Sequence, residues 1–209
     1  MQIILASSSA RRRQILEVLG VSFRVISPYF VEIVSADRPV EEEVLEFALR
    51  KASSVAREHP GAVVIGADTL IALGEKKIGK PADRAEAKEI LLALRGKRHR
   101  IFTGVAIVDE AGGPGLRHVE RVEVKMRGYS EEEVERYLDT GESLDKAGAY
   151  SIQGGGRNLI ESIEGDYLAA VGLPLRPIAR YLRSRGVPLR EDVEQIYAEK
   201  RFPNWSSFP

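Results

Sequence analysis

The chain has 209 residues, with 31 Lys and Arg balanced by 31 Asp and Glu, 44% apolar residues and no cysteine. That length suits one medium-sized domain or two lobes sharing a cleft, the apolar fraction is enough to build a core, and zero net charge argues against non-specific coating of nucleic acid or an anionic membrane. The lack of thiols excludes disulfide scaffolds, thiolate zinc sites and cysteine nucleophiles, and no apolar run reaches the roughly 18 residues that span a bilayer.

Residues 3–6 (IILA) predict a short buried strand, and Ser7, Ser8 and Ser9 a polar turn that supplies N-caps. A helix follows over 11–19, with Ile15, Leu16 and Leu19 on one face and Gly20 as its stop. The arginines here come after the apolar stretch, the reverse of a signal peptide, so a cytoplasmic protein is expected. Alternation predicts a strand over 21–26, and Pro28, Asp37 and Pro39 mark a loop over 27–39. Residues 41–57 read as a helix whose core face carries Val44, Ala48, Ala52 and Val55. Residues 62–73, apolar apart from Gly66, Asp68 and Thr69, predict a central strand interrupted near Gly66. A turn at 74–77 leads to a helix over 83–94, where Asp83 and Glu86 resemble a capping box. Strands are expected over 101–108 and 118–126, joined by a hairpin loop at 109–115, and a helix from Ser130 through Leu138. Residues 139–158 form a long polar, Gly-rich segment, 159–163 a strand, and Leu173-Pro174 leads a last amphipathic helix to Arg185. Residues 186–209 read as a polar, Pro-containing appendage. Strands alternating with helices give an α/β class.

Four places break these local rules, and such conflicts tend to mark sites. Ser7-Ser8-Ser9 followed by Arg11, Arg12 and Arg13 puts arginine in a first helical turn, where its charge is unfavourable unless an anion sits there. Three consecutive helical residues fan over roughly 200°, so two at most face one ligand. A phosphate site, a solvated basic surface and a nucleic-acid contact all fit that segment. Asp68 lies within AVVIGADTLIAL, where an ionised carboxylate must be paired or bind a metal unless it occupies a turn between two short strands. Lys51 falls seven positions after Val44, within about 20° of it on the core face, so it snorkels past the core edge or points into a cleft. The run from Asp145 to Gly156 offers Gln153, whose amide suits a base edge, among glycines that permit close approach or simple flexibility. Lys80, in a Gly-Lys-Pro loop, is a plain loop lysine when read alone. The three histidines are scattered and no P-loop or GxGxxG appears, so any metal here is a hard, oxygen-ligated ion such as Mg²⁺ or Mn²⁺.

Taken together, LASSSARR, Lys51-Ala52, GADT, GKP, TGV, DKAGAY, IQG and VGLP, in that order over about residues 3–183, resemble the Maf family of nucleoside triphosphate pyrophosphatases. The resemblance implies a mixed, twisted sheet with helices packed on it and two lobes around a central nucleotide-binding cleft. The catalytic domain would span 1–185, with 186–209 as a C-terminal extension. Divalent-metal-dependent hydrolysis between the α and β phosphates is implied, without nucleic acid or membrane as partner, and with a homodimer open. Carried over by position, Asp68 would be the catalytic or metal-ligating carboxylate and Glu32 its partner. Ser7, Arg12, Lys51 and Lys80 would hold phosphates. Arg11, Thr69 and Gln153 match the base-selectivity positions and look like the thymidine/uridine branch rather than the 7-methylguanosine one. Ala10, Val31 and Asp166 depart from the family pattern, at a usual proline, a usual acidic residue and a usual small hydroxyl residue. The alternatives are the same chemistry on another or modified base, a non-catalytic nucleotide-binding regulator of cell division, and a nucleic-acid module built on Arg11 to Arg13. Balanced charge counts against the last.

Overall fold

The computed structural model describes residues 1–35, 37–109 and 114–208. Its frame is a seven-stranded mixed sheet. β1 (Gln2–Ala6) lies between β2 (Arg24–Ile26) and β3 (Ala62–Leu73) and runs parallel to both. β3 pairs antiparallel with β5 (Arg98–Val108), and the sheet continues antiparallel through β6 (Pro114–Met126) to β7 (Ile160–Glu164). β4 (Lys76–Ile78) folds back on the free edge of β3, pairing Ile78 with Ile71.

Alternation along β3 separates two faces. Val64, Leu70 and Ala72 pack with the apolar side chains of α2 (Val40–Ala56). Val63, Ile65, Ala67 and Ile71 face the larger core. That core also takes the buried residues of α1 (Ala10–Glu17), α3 (Arg84–Leu94), α4 (Glu131–Leu138), α5 (Tyr167–Val171) and α6 (Leu175–Ser184).

The expected break near Gly66 is absent: β3 is continuous, and Asp68 sits in mid-strand rather than at a turn. Gly66 serves another purpose. A Cβ there would stand 2.3 Å from the Ala48 carbonyl oxygen, and one at Gly104 2.7 Å from that of Val44. Gly104 pairs directly with Asp68 across the sheet. These two positions let the backbone of α2 lie against the strands. Gly66→Ala is therefore expected to destabilise by about 1–3 kcal/mol, the usual cost of overpacking. An unchanged urea midpoint would show that α2 does not need this contact.

β1 pairs with β3 only as far as Ala6 opposite Gly66, and β4 takes up the same edge at Ile71. Between them that edge of β3 has no strand beside it over residues 67–70 among the described residues, while β5 pairs along the other edge. This notch, beyond the carboxyl end of β1, is where an open α/β sheet leaves room for a ligand.

Elsewhere the strand expected over 21–26 shortens to β2. Asp83 caps α3 by accepting from the Glu86 N–H at 2.9 Å, but the Glu86 carboxylate accepts from Ala82 rather than completing a capping box. Ser130 and Glu133 do complete one on α4. Segment 139–158 contains a 3₁₀ turn over Ala147–Ala149 and the start of another over Gly155–Leu159. Residues 110–113 of the expected hairpin loop lie outside the described residues.

α6 is not the last helix. α7 (Val193–Ala198) follows, and Val193, Ile196, Trp205 and Phe208 are buried in the main core, so this segment is no polar appendage. Trp205 stacks on Tyr167 with centroids 5.1 Å apart and planes 11° from parallel. Among the described residues, no helix is long and apolar enough to cross a membrane.

Candidate active site

Ser7, Arg11, Arg12, Glu32, Lys51, Asp68, Thr69, Lys80 and Gln153 all line one cavity of about 430 Å³ over the notch. Residues drawn from positions 7 to 153 of the chain thus meet at one place. Ile71, Ile101 and Ala170, which the sequence did not single out, complete much of its wall with Asp145 and Tyr150 of the Asp145–Gly156 run. Tyr150 is fixed there by His99, whose Nε2 lies 2.7 Å from its hydroxyl. Burial draws the His99 pKa down to about 4, so this pair is neutral at neutral pH.

At the floor, the Lys51 Nζ lies 2.5 Å from Asp68 Oδ1 and 2.5 Å from Glu32 Oε1. Lys51 does not snorkel; α2, drawn in by Gly66 and Gly104, delivers it between two carboxylates. Asp68 Oδ2 is buried and has no hydrogen-bond partner among the described residues. Burial raises the Asp68 pKa, the charges of Lys51 and Arg12 oppose that, Glu32 adds to it, and the net shift is upward. Burial also pushes Glu32 upward, but Lys51, Lys80 and Arg12 more than offset it and hold that carboxyl below its usual range. Two neighbouring carboxyls with diverging pKa values are the pattern of divided acid–base roles.

Glu32 rides on the loop between β2 and α2, which is anchored on either side. Phe30 packs on Phe47 with centroids 5.5 Å apart. The Ser35 N–H donates to Glu43 at 2.5 Å, and Lys77 donates to both the Ser35 carbonyl (2.5 Å) and Glu43 (2.6 Å). Glu43 is a buried acid on the face of an amphipathic helix; that signal lay in the sequence unused.

Ser9 caps α1, accepting from the Arg12 N–H, while buried Ser7 accepts from the Ser9 N–H at 3.1 Å. The first turn of α1 holds no acid, so its leading N–H groups and dipole are open to an anion. Arg12 turns across the notch. Its Nε donates to the Gly172 carbonyl at 2.9 Å and its Nη2 to Thr69 Oγ1 at 3.1 Å. The Thr103 hydroxyl donates to the Ala169 carbonyl at 2.8 Å, so the Thr69 hydroxyl, 3.0 Å away, donates to Thr103. Thr69 thus has its proton engaged and keeps acceptor capacity and a methyl group for a ligand. Thr103, opposite Thr69 in register, was missed as the anchor of this chain of bonds.

Asp166 explains itself through the same wall. One of its oxygens caps α5 at the Ala169 N–H (3.0 Å) and the other accepts from the Tyr197 hydroxyl (2.6 Å). Aspartate thus serves the two donors with two separate oxygens, where a small hydroxyl residue has one.

Lys80 is exposed at the rim, and no ion pair holds it among the described residues. The Gly79 carbonyl before it accepts from the Gly148 N–H at 3.1 Å, tying its loop to the opposite wall. On that wall Arg11 lies 3.8 Å from Asp145. The half-buried Gln153 side chain makes no hydrogen bond among the described residues.

A family model described as Maf-like protein matches residues 2–185. A dTTP/UTP pyrophosphatase of Dictyoglomus thermophilum is 46% identical over 189 residues, covering 90% of this chain and 98% of that protein. A dTTP/UTP pyrophosphatase of Bacillus mycoides is 42% identical over 182 residues, covering 87% of this chain and 94% of that protein. Among solved structures, the Staphylococcus aureus Ham1 protein aligns with a TM-score of 0.43 at 17% identity, over 61% of this chain and 73% of its own, too distant to add to the argument. With a match that covers the whole sheet and every residue of the cleft, the chain belongs to the Maf-like protein family.

Proposed function

We propose that the chain is a nucleoside triphosphate pyrophosphatase that hydrolyses dTTP and UTP to the monophosphate and pyrophosphate, and so clears nucleotides from the cytoplasmic pool. The observation that carries this reading is the Lys51 ammonium between Glu32 and Asp68, with one buried Asp68 oxygen unengaged at the floor of a cationic cleft. A binder without turnover has no need of a buried carboxylate whose charge is costly. Residues 1–185 are assigned to the two-lobed catalytic domain and the rest to an extension packed on it.

A triphosphate carries about four negative charges, and Arg12, Lys51, Lys80, the Ser7 hydroxyl and the head of α1 would receive them. Two carboxylates and no third acidic or histidine ligand among the described residues suit Mg²⁺ or Mn²⁺, which bind through one or two carboxylates and complete their shell with water and substrate phosphates. When bound, such an ion supplies neutralisation of phosphate charge and an acidified water. Asp68 orients the attacking water through Oδ2 and takes up its proton, while Lys51 fixes both carboxylates. The water then meets the α-phosphorus in line, and pyrophosphate departs towards Lys80.

Incubation of a panel of nucleoside triphosphates with Mg²⁺ or Mn²⁺, scored for pyrophosphate and orthophosphate, tests the reading. Pyrophosphate from dTTP and UTP, abolished by EDTA, is expected. Full activity in excess EDTA, or orthophosphate as first product, contradicts it. Lys80→Ala is expected to weaken triphosphate binding about 5-fold, as for a charge contact near water worth ~1 kcal/mol, and monophosphate binding much less. Equal losses by titration calorimetry would place Lys80 away from the phosphate tail.

A further inference from the structure

The segment that carries Gln153 is held from two sides. Toward α4, the Glu142 carboxylate accepts from the Gly155 N–H at 2.9 Å, and Ser151 Oγ accepts from the Gly154 N–H at 3.2 Å. From the C-terminal segment, the Asn204 side-chain amide donates to the Ile152 carbonyl at 3.1 Å and to the Gln153 carbonyl at 2.8 Å. One NH₂ group has two protons, so a single side chain satisfies both acceptors.

Asn204 is itself firmly presented. Its backbone is left-handed, with φ 63°, a conformation asparagine tolerates better than most residues. The Pro203 carbonyl before it accepts from the Tyr167 hydroxyl at 2.6 Å. Trp205 after it is clamped between Tyr167 and Tyr197, each with its ring centroid 5.1 Å away. The matched family region ends at residue 185, short of all these tail contacts.

We infer that Asn204 is a positioning residue for base selection, fixing the backbone from which Gln153 projects into the cleft. The inference rests on the reading that Gln153 contacts the base. Three glycines follow Gln153, and such a run allows wide backbone freedom. A polar group that discriminates between bases must be held to within about 0.5 Å of its working geometry. The two Asn204 bonds remove that freedom at Ile152 and Gln153 without touching the phosphate end of the cleft.

The test uses Asn204→Gly, which keeps the left-handed backbone and removes both donors, and Asn204→Asp, which sets a carboxylate against two carbonyl oxygens. Gln153→Ala is measured beside them, with kcat and KM for dTTP and dCTP and the melting temperature of each variant. Both Asn204 variants are expected to lower the preference for dTTP over dCTP at least 5-fold, mainly through a higher KM for dTTP, with dCTP turnover within 2-fold of wild type. Preference kept within 2-fold in both variants would overturn the inference. An equal loss on both nucleotides, in step with a lower melting temperature, would also overturn it, because Asn204 would then support the fold alone. If Gln153→Ala leaves the preference intact, the base-reading assignment fails first. If Gln153→Ala flattens it while the Asn204 variants do not, only the positioning role fails.

Discussion

Asp68→Asn is expected to fold and bind nucleotide while its turnover falls by a factor on the order of 10² to 10⁴, the range for losing a group that moves a proton in the transition state. Asparagine keeps the shape and can still accept from Lys51 through its amide oxygen. It cannot take a proton from water. Wild-type Asp68 has its pKa raised because burial outweighs the attraction of Lys51 and Arg12. A raised pKa makes its carboxylate a stronger base than an ordinary exposed one. The sign of the pH dependence follows from the role: the proposed active form is ionised, so the rate is expected to fall as pH drops through the Asp68 pKa. Glu32, held low by the surrounding cations, stays ionised across that limb. In Asp68→Asn this limb should vanish along with most of the rate. Normal turnover in the variant would make Asp68 a structural partner of Lys51 and nothing more.

The second large effect concerns the base. Thymine and uracil present acceptor, donor and acceptor along one edge; cytosine reverses the first two. The Gln153 amide offers a donor and an acceptor together, and Arg11 adds a donor near Asp145. Thr69 cannot add one, because its proton is engaged by Thr103; it offers a lone pair or its methyl group. An unpaired polar group in a closed site costs about 1–3 kcal/mol, roughly 5- to 150-fold in rate. dTTP and UTP are therefore expected to exceed dCTP and CTP in kcat/KM by that factor, with purines poorer still. Gln153→Ala should flatten the preference while pyrophosphate release persists. dCTP or GTP as the best wild-type substrate would remove the base-reading roles of Arg11, Thr69 and Gln153 and leave the phosphate chemistry standing.

The residues that violate local rules were the legible part of the site. An aspartate in an apolar strand and a lysine on a helix core face are costly apart, and the structure joins them at 2.5 Å. Arginines at a helix start likewise marked their segment, and Arg11 and Arg12 line the cleft. Gly66 was misread because a strand glycine signals either a bend or a close approach, and only the position of α2 decides between them. Arg12 had no sequence sign of its link to Gly172, which is fixed 160 residues away by the turn ending α5. α5 and α7, with 5 and 6 residues, are too short for a 3.6-residue period to show. The tail looked polar because its buried residues are spaced rather than clustered, Val193 and Ile196 among charges and Trp205 and Phe208 among Asn, Ser and Pro.

The proposed function stands on attack by water at the α-phosphorus of a pyrimidine nucleoside triphosphate in this cleft. Hydrolysis of dTTP in ¹⁸O-enriched water with Mg²⁺, followed by mass analysis of both products, tests it most directly. The label is expected in the nucleoside monophosphate and absent from pyrophosphate. Label in pyrophosphate, or release of labelled orthophosphate with the diphosphate left behind, would contradict it.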